Sequence, residues 1–269
     1  MRINTNVNAM IATNQMTKNT ALAGNSMEKL STGLRITKAG DDAAGLAVSE
    51  KMRAQIRGME QAERNVQDGI SMVQTAEGAL EEAGNIAQRM RELSIQAGND
   101  TLNSADRTKI KTELEELQKE MKNISEETTF NGNKLLDGKT NKFTIQSGAN
   151  SEIREVKMED LASIASSLGT VDVGSVSSAQ AFTTKVDTAL EKINEGRSKL
   201  GAMQNRLEYT SSNLTTSTEN LSAAESRIRD VDVAKEMVKL SKLNILNQAS
   251  QAMVSQAKQQ PESVTQLLR

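Results

Sequence analysis

From Met52 onward, apolar residues step along the chain by three or four: 52, 56, 59, 62, 66, 70, 73, 76, 80, 83, 87, 90, 93 and 97. A seam spaced at about 3.5 residues belongs to a helix in a left-handed supercoil, here about 70 Å long. Gly98-Asn99-Asp100 ends it. Asn103 or Ser104 is placed to cap a second helix, whose seam is Ile110, Leu114, Leu117, Met121 and Ile124. The most regular stretch is 182–231, where 4-3 alternation runs for seven heptads. One register there is aliphatic: Val186, Ile193, Leu200, Leu207, Leu214, Leu221 and Ile228. The other is mostly small or polar: Phe182, Ala189, Gly196, Met203, Thr210, Ser217, Ala224 and Val231. Large opposite small predicts closely spaced helix axes.

Between 129 and 175 the pattern changes. Asn131-Gly132 and Asp137-Gly138 are tight-turn signals, residues 142–146 alternate, and 152–158 form a partner strand. One or two short hairpins between about 129 and 160 are expected. A short helix near Leu161, Ile164 and Leu168 follows, then a Gly/Ser/Val linker over 169–178. The fold class is mainly α: a long antiparallel helical bundle or coiled coil.

The two ends behave differently. Residues 1–33 are polar and rich in Asn, a poor helix in isolation and disordered until docked. Residues 38–45 form a break in which Asp41 or Asp42 can cap the next helix. At the other end, Met237, Val238, Leu240, Leu243, Ile245, Leu246, Ala249, Met253 and Val254 scatter around the whole circumference of one helix. A helix apolar all round is buried on several sides, and other subunits are the expected cover. Val238, Leu240, Leu243, Ile245, Leu246, Met253 and Val254 are therefore the candidate polymerisation residues.

Composition narrows the chemistry. The 269 residues include no His, no Cys and only four aromatics, with one Pro, 16 Gly and 13 Met. That excludes imidazole catalysis, thiolate nucleophiles, disulfides and Cys/His zinc sites. Few breakers leave room for long helices. The net charge is −2, against a general nucleic-acid binder. The first 25 residues carry +2 and residues 235–269 carry +3, which leaves −7 for the middle. The start has no apolar core of the Sec signal type, and no run approaches the ~20 residues of a membrane span. Phosphate-loop, dinucleotide, nucleophile-elbow and EF-hand motifs are missing, so no enzyme and no cofactor are expected. Asp230 and Asp232 read as a solvated helix face and not as a metal site.

Particular segments then become recognisable. Met1-Arg2-Ile3-Asn4-Thr5-Asn6, residues 27–36, and Ala39-Gly40-Asp41-Asp42-Ala43-Ala44-Gly45-Leu46-Ala47 resemble the start of bacterial flagellin. So do residues 68–71, 74–80, Arg89-Met90-Arg91-Glu92-Leu93 and Phe130-Asn131-Gly132. Gln204-Asn205-Arg206, Asn220-Leu221, Ser226-Arg227-Ile228, Asp232, the helix to Gln256 and Leu267-Leu268-Arg269 resemble its end. The form is short and lacks the variable outer domains of long flagellins.

The resemblance implies a secreted, extracellular structural protein: the homopolymeric subunit of the flagellar filament used for swimming motility. Export would run through the flagellar type III apparatus, with a chaperone, a filament cap and hook-junction proteins as partners. By the same analogy, 1–33 and 235–269 are terminal inner coiled-coil helices. Residues 34–46 are a spoke, and 47–234 an outer helical bundle. Arg89, Leu93 and Glu113 resemble a surface recognised by a flagellin-sensing Toll-like receptor. An ordinary (i, i+3) charge pair, Arg89 with Glu92, is the plainer account of the same residues. Two competing roles are a hook–filament junction protein of the same wider family and an intracellular coiled-coil scaffold.

Overall fold

The computed structural model describes residues 6–139 and 142–267, with side chains described as far as residue 259. Six helices and two small hairpins follow in order. They are α1 (Val7–Thr32), α2 (Ala43–Ala97), α3 (Ser104–Glu127), β1 (Thr129–Phe130), β2 (Asn133–Lys134), β3 (Lys142–Gln146), β4 (Ile153–Lys157), α4 (Leu161–Ser167), α5 (Val176–Arg229) and α6 (Val233–Leu267). The chain divides into two compact units, Gln55–Glu219 and Met1–Ala54 with Asn220–Arg269.

Within Gln55–Glu219, α2 and α5 run antiparallel in one register. Ser94 Oγ lies 2.9 Å from Thr183 Oγ1, and Arg91 Nε donates to Asp187 at 2.6 Å. Arg197 reaches Glu81 at 3.7 Å, and Thr215 Oγ1 donates to Glu63 at 3.2 Å. As one number falls the other rises in step, so the pairing never slips. The expected seam is the core: Met59, Ala62, Val66, Val73, Ala76, Leu80, Ala83, Ala87, Met90, Leu93 and Ala97 are buried. Opposite them Phe182, Val186, Ala189, Ile193, Leu200, Leu207 and Leu214 are buried too. Each fully buried aliphatic contributes roughly 1.5–3 kcal/mol of transfer free energy. At Gly196 a Cβ would stand 3.0 Å from Glu159 Cβ and 3.4 Å from Leu80 Cδ1. The small register is where neighbours come close, as the alternation predicts.

Asn103 caps α3, its side chain accepting from Asp106 N at 2.9 Å. Leu114 and Met121 of α3 are buried, and α3 packs on α4. The first hairpin turns on Asn131 and Gly132 with φ of 50° and 80°, the positive pair a type I′ turn requires. The second pairs Phe143 with Val156 and Ile145 with Arg154. The linker expected over 169–178 is packed instead: Val171 and Val173 are buried. Arg107 donates to Gly174 O at 3.1 Å and Gln118 to Gly169 O at 3.0 Å. Its Gly/Ser content suggests flexibility, but two valines and these donors hold it against the bundle.

In the other unit, α1 and α6 pack along their lengths. Asn6 caps α1 through Ala9 N at 3.0 Å and also donates to Ala257 O at 2.6 Å, which joins the start of α1 to the far part of α6. Among the described residues of this unit, irregular chain beyond Asn6 is confined to 33–42 and 230–232. Asp42 Oδ1 accepts from Gly45 N at 2.8 Å, so α2 already starts at Ala43 and the expected spoke 34–46 is shorter as irregular chain. Asp41 instead ties the preceding turn, accepting from Thr37 N at 3.1 Å and Lys38 N at 3.2 Å. Those backbone donors hold its carboxyl below the usual range.

The 4-3 pattern drawn through 231 is interrupted by a second break, because α5 ends at Arg229. Leu34 and Asp230 form an antiparallel bridge, with Arg35 N donating to Arg229 O at 2.6 Å and Val231 N to Gly33 O at 3.0 Å. Asp230 and Asp232 thus flank a break and do not lie on a helix face. Asp232 caps α6 by accepting from Lys235 N at 3.1 Å, and Asp230 accepts from Ser226 Oγ at 2.6 Å.

Candidate functional site

The α1/α6 pair is an antiparallel two-helix pair with an unusual seam. Along α1 the covered positions are Ala9, Ala12, Met16, Asn19, Ala23, Ser26 and Leu30, a strict three-four alternation. Along α6 they are Glu236, Leu240, Leu243, Asn247, Ser250, Val254 and Ala257, again alternating. Small and polar residues fill most of both seams, so the backbones come close. Polar seam positions fix register at some cost in stability. Asn19 is buried, and Thr20 Oγ1 meets Asn247 Oδ1 at 3.5 Å. Near the junction, the Ser26 hydroxyl and then Lys239 hold the Glu236 carboxylate below its ordinary value.

Because the seam takes mostly small residues, most of the large apolar ones point away from it. On α1 these are Val7, Met10, Ile11, Leu22 and Met27, all exposed. On α6 they are Val233, Met237, Val238, Ile245, Leu246 and Met253, with Val238 71% and Ile245 63% exposed. At 100° per residue the α6 set spans more than half of the circumference. An open groove of about 590 Å³ runs between Ile11 and Gln15 of α1 and Leu246 and Met253 of α6. A contiguous apolar surface of this kind marks an interaction site. The seven candidate polymerisation residues therefore divide. Leu243 is buried and Leu240 and Val254 are half-buried in the intramolecular seam, while Val238, Ile245, Leu246 and Met253 face outward.

The second candidate surface sits on α2 and α3 of the bundle. Arg89 donates to Glu113 at 3.0 Å and to Glu92 at 3.1 Å, and these hydrogen bonds, Glu113 first, raise the guanidinium pKa. Arg89, Glu92 and Glu113 are exposed, but Leu93 is only 2% exposed and belongs to the core. Its place in the 3.5-residue seam was the better guide to its position. Among the described residues no group of His, Cys, Asp and Glu could hold a metal ion, and no helix is long and apolar enough to cross a membrane.

Sequence reasoning missed three features. The α1 seam was hidden because its residues are mostly Ala, Asn and Ser, yet their 3-4 spacing is present in the sequence. The 230–232 break contains no Gly or Pro to announce it. Arg229, nearly buried and 2.5 Å from Glu50, gave no sign of its partner because 179 residues separate the two.

Residues 3–141 match the family described as the bacterial flagellin N-terminal helical region, and residues 183–268 the bacterial flagellin C-terminal helical region. The chain is 53% identical to the flagellin of Halalkalibacterium halodurans and 48% identical to that of Bacillus subtilis, covering 100% of both chains in each case. The flagellar filament 33 kDa core protein of Treponema phagedenis is 45% identical, also with 100% of each chain covered. The crystal structure of Bacillus cereus flagellin is 35% identical, with a TM-score of 0.52 over 60% of this chain and 94% of that one. A flagellar hook-associated protein of Vibrio parahaemolyticus, 11% identical with a TM-score of 0.60 over 71% of this chain and 100% of that one, shares the fold alone. With both helical regions matched and full-length relatives near half identity, the chain belongs to the bacterial flagellin family.

Proposed function

We infer that this chain is a structural subunit of the bacterial flagellar filament, and that it polymerises by covering the outward apolar residues of α1 and α6. One observation carries the assembly mechanism. The α1/α6 seam is already closed within the chain, yet eleven large apolar side chains remain exposed around it. Fully burying one is worth roughly 1.5–3 kcal/mol, so covering the exposed half of eleven yields on the order of 10 kcal/mol. Association costs about 4–15 kcal/mol before anything is gained. A single neighbour covering part of the circumference falls short, whereas several neighbours at once suffice. That balance favours growth on an existing end over spontaneous pairing. The positive charge excess of both ends opposes their packing, so added salt aids assembly.

In this reading α1 and α6 form the inner coiled coil, the irregular segments beside α2 the spoke, and the bundle the outer layer. Export and an extracellular location follow from the role, as do an export chaperone, a filament cap and hook-junction proteins as partners. Recognition by a flagellin-sensing Toll-like receptor would rest on Arg89 and Glu113, with Leu93 supporting them from beneath. Seeded growth followed by light scattering and electron microscopy tests the assignment. Indefinite elongation from short seeds is expected, and a closed ring or a soluble dimer would overturn it.

A further inference from the structure

We propose that the cleft between β4 and α5 binds an acidic polysaccharide through the carboxylates of its sugar units. The cleft has a volume of about 500 Å³ and is lined by Ile153, Arg154, Lys157, Lys199, Met203 and Arg206, among others. Its charge is not balanced from within. Lys199 is held by Glu195 at 2.8 Å and Glu159 at 3.7 Å. The one acid in the lining, Glu155, is engaged by Lys142 at 3.5 Å. Arg154, Lys157 and Arg206 are exposed and make no ion pair among the described residues. Lys157 stands directly across the hairpin from Lys142, a like-charge pair that disfavours the sheet.

An exposed aromatic ring lies next to the cleft along α5, outside its lining. Tyr209 is the single tyrosine of the chain and is 78% exposed. It lies one turn beyond Arg206, on the helix face that also carries Ala202. An exposed ring beside unpaired cations suits a ligand with apolar C–H faces and planar anions. Arginine forks match carboxylates in two-point contacts. A polyuronate offers one such group per sugar, together with ring faces for Tyr209 and Ile153. The net charge of −2 repels any polyanion at long range, and a polymer with one charge per sugar less than a phosphate duplex with its closer charges. The inference rests on the filament reading in one respect only. A homopolymer repeats the cleft along its length, which turns a weak single site into an avid one.

The test measures binding of polygalacturonate to the monomer and to sheared filaments, with neutral dextran as control and dextran sulfate as the sulfate arm. Salt-sensitive binding of polygalacturonate and none of dextran is expected. The triple change Arg154→Glu, Lys157→Glu, Arg206→Glu should weaken it by about tenfold or more. Tyr209→Ala, at an exposed position and safe for folding, should weaken binding while leaving its salt dependence unchanged. Absence of polygalacturonate binding by wild type, or binding untouched by Tyr209→Ala, would overturn the proposal. So would a clear preference for dextran sulfate, or a folded triple variant that fails to polymerise, because the cleft would then serve a neighbouring copy. Filaments that form without binding polygalacturonate sink this inference alone. A chain that never polymerises sinks the filament reading, while the monomer arm still decides the cleft.

Discussion

In the bundle, Leu80, Ile193, Leu200 and Leu207 are cut off from water, whereas on α6 Met237, Val238, Ile245 and Met253 stay exposed. Both regions are long helices built on a 3-4 alternation, and both pair antiparallel. They differ in which side chains take the seam. In the bundle large aliphatics alternate with alanines on the seam, and that seam is buried within one chain. In α1/α6 the seam goes to Ala, Asn, Ser and a few Leu, and the large apolar residues are left outside. One arrangement yields a self-sufficient fold and the other leaves surface for further copies. Helical periodicity alone does not separate them; the size of the residues on the seam does.

The strongest way to break this contrast is to remove residues 235–269. Polymerisation should be abolished while the helicity of the Gln55–Glu219 unit survives, read by light scattering and circular dichroism. Normal filaments from the truncated chain would end the argument.

Next in size is a matched pair of truncations. Leu207→Ala empties a fully buried site and should lower stability by about 2–5 kcal/mol in denaturant melts. Ile245→Ala removes a side chain that is already 63% exposed, so the monomer's stability should change by about 0.5 kcal/mol or less. Its effect should appear instead as a higher critical concentration for growth. If the two substitutions destabilise the monomer equally, the contrast between seams is lost.

Gly196→Leu should cost about 1–3 kcal/mol in thermal or denaturant melting, because Glu159 and Leu80 already stand against the space a side chain would need. Indifference to that change would place residue 196 away from its neighbours.

Acid gives the smallest effect and the most local one. The Glu236 carboxylate is held below its ordinary 4.5 by Ser26 and Lys239, and Asp41 and Asp232 are held below 3.8 by backbone donors. A lowered pKa means that the stabilisation is complete above the ordinary value and is lost as pH falls through the folded-state value. As pH falls below 4.5, and further below 3.8, α1 and α6 should therefore become cleavable by an acid-active protease before the bundle does, where Glu195 is an exposed surface partner of Lys199. Simultaneous loss of both regions would contradict this.

Much of the bundle was legible because its signals are redundant. The α2 and α5 seams repeat over many turns, and Asn131-Gly132 announces its own turn by needing positive φ at both positions. The α1 helix was less legible because its seam is written in residues that carry no hydrophobic signal. The polarity of 1–33 and the apolar circumference of 233–256 did set the ends apart from the bundle in the sequence. The packed valines of 169–178 were obscured by the glycines and serines around them. Leu93 shows the opposite hazard: its seam position placed it inside the bundle, and the likeness to a receptor-binding stretch drew it outside. Long-range partners such as Arg229 with Glu50 leave no trace in a single sequence, since nothing local couples them.

The central claim is that α1 and α6 are completed by neighbouring copies while the bundle is complete alone. Amide hydrogen exchange on dilute monomer and on filaments of the same protein tests it most directly. The account predicts slow exchange along the α2 and α5 seams in both states, and strong protection of α1 and α6 in the filament only. Equal protection of α1 and α6 in monomer and filament would contradict it.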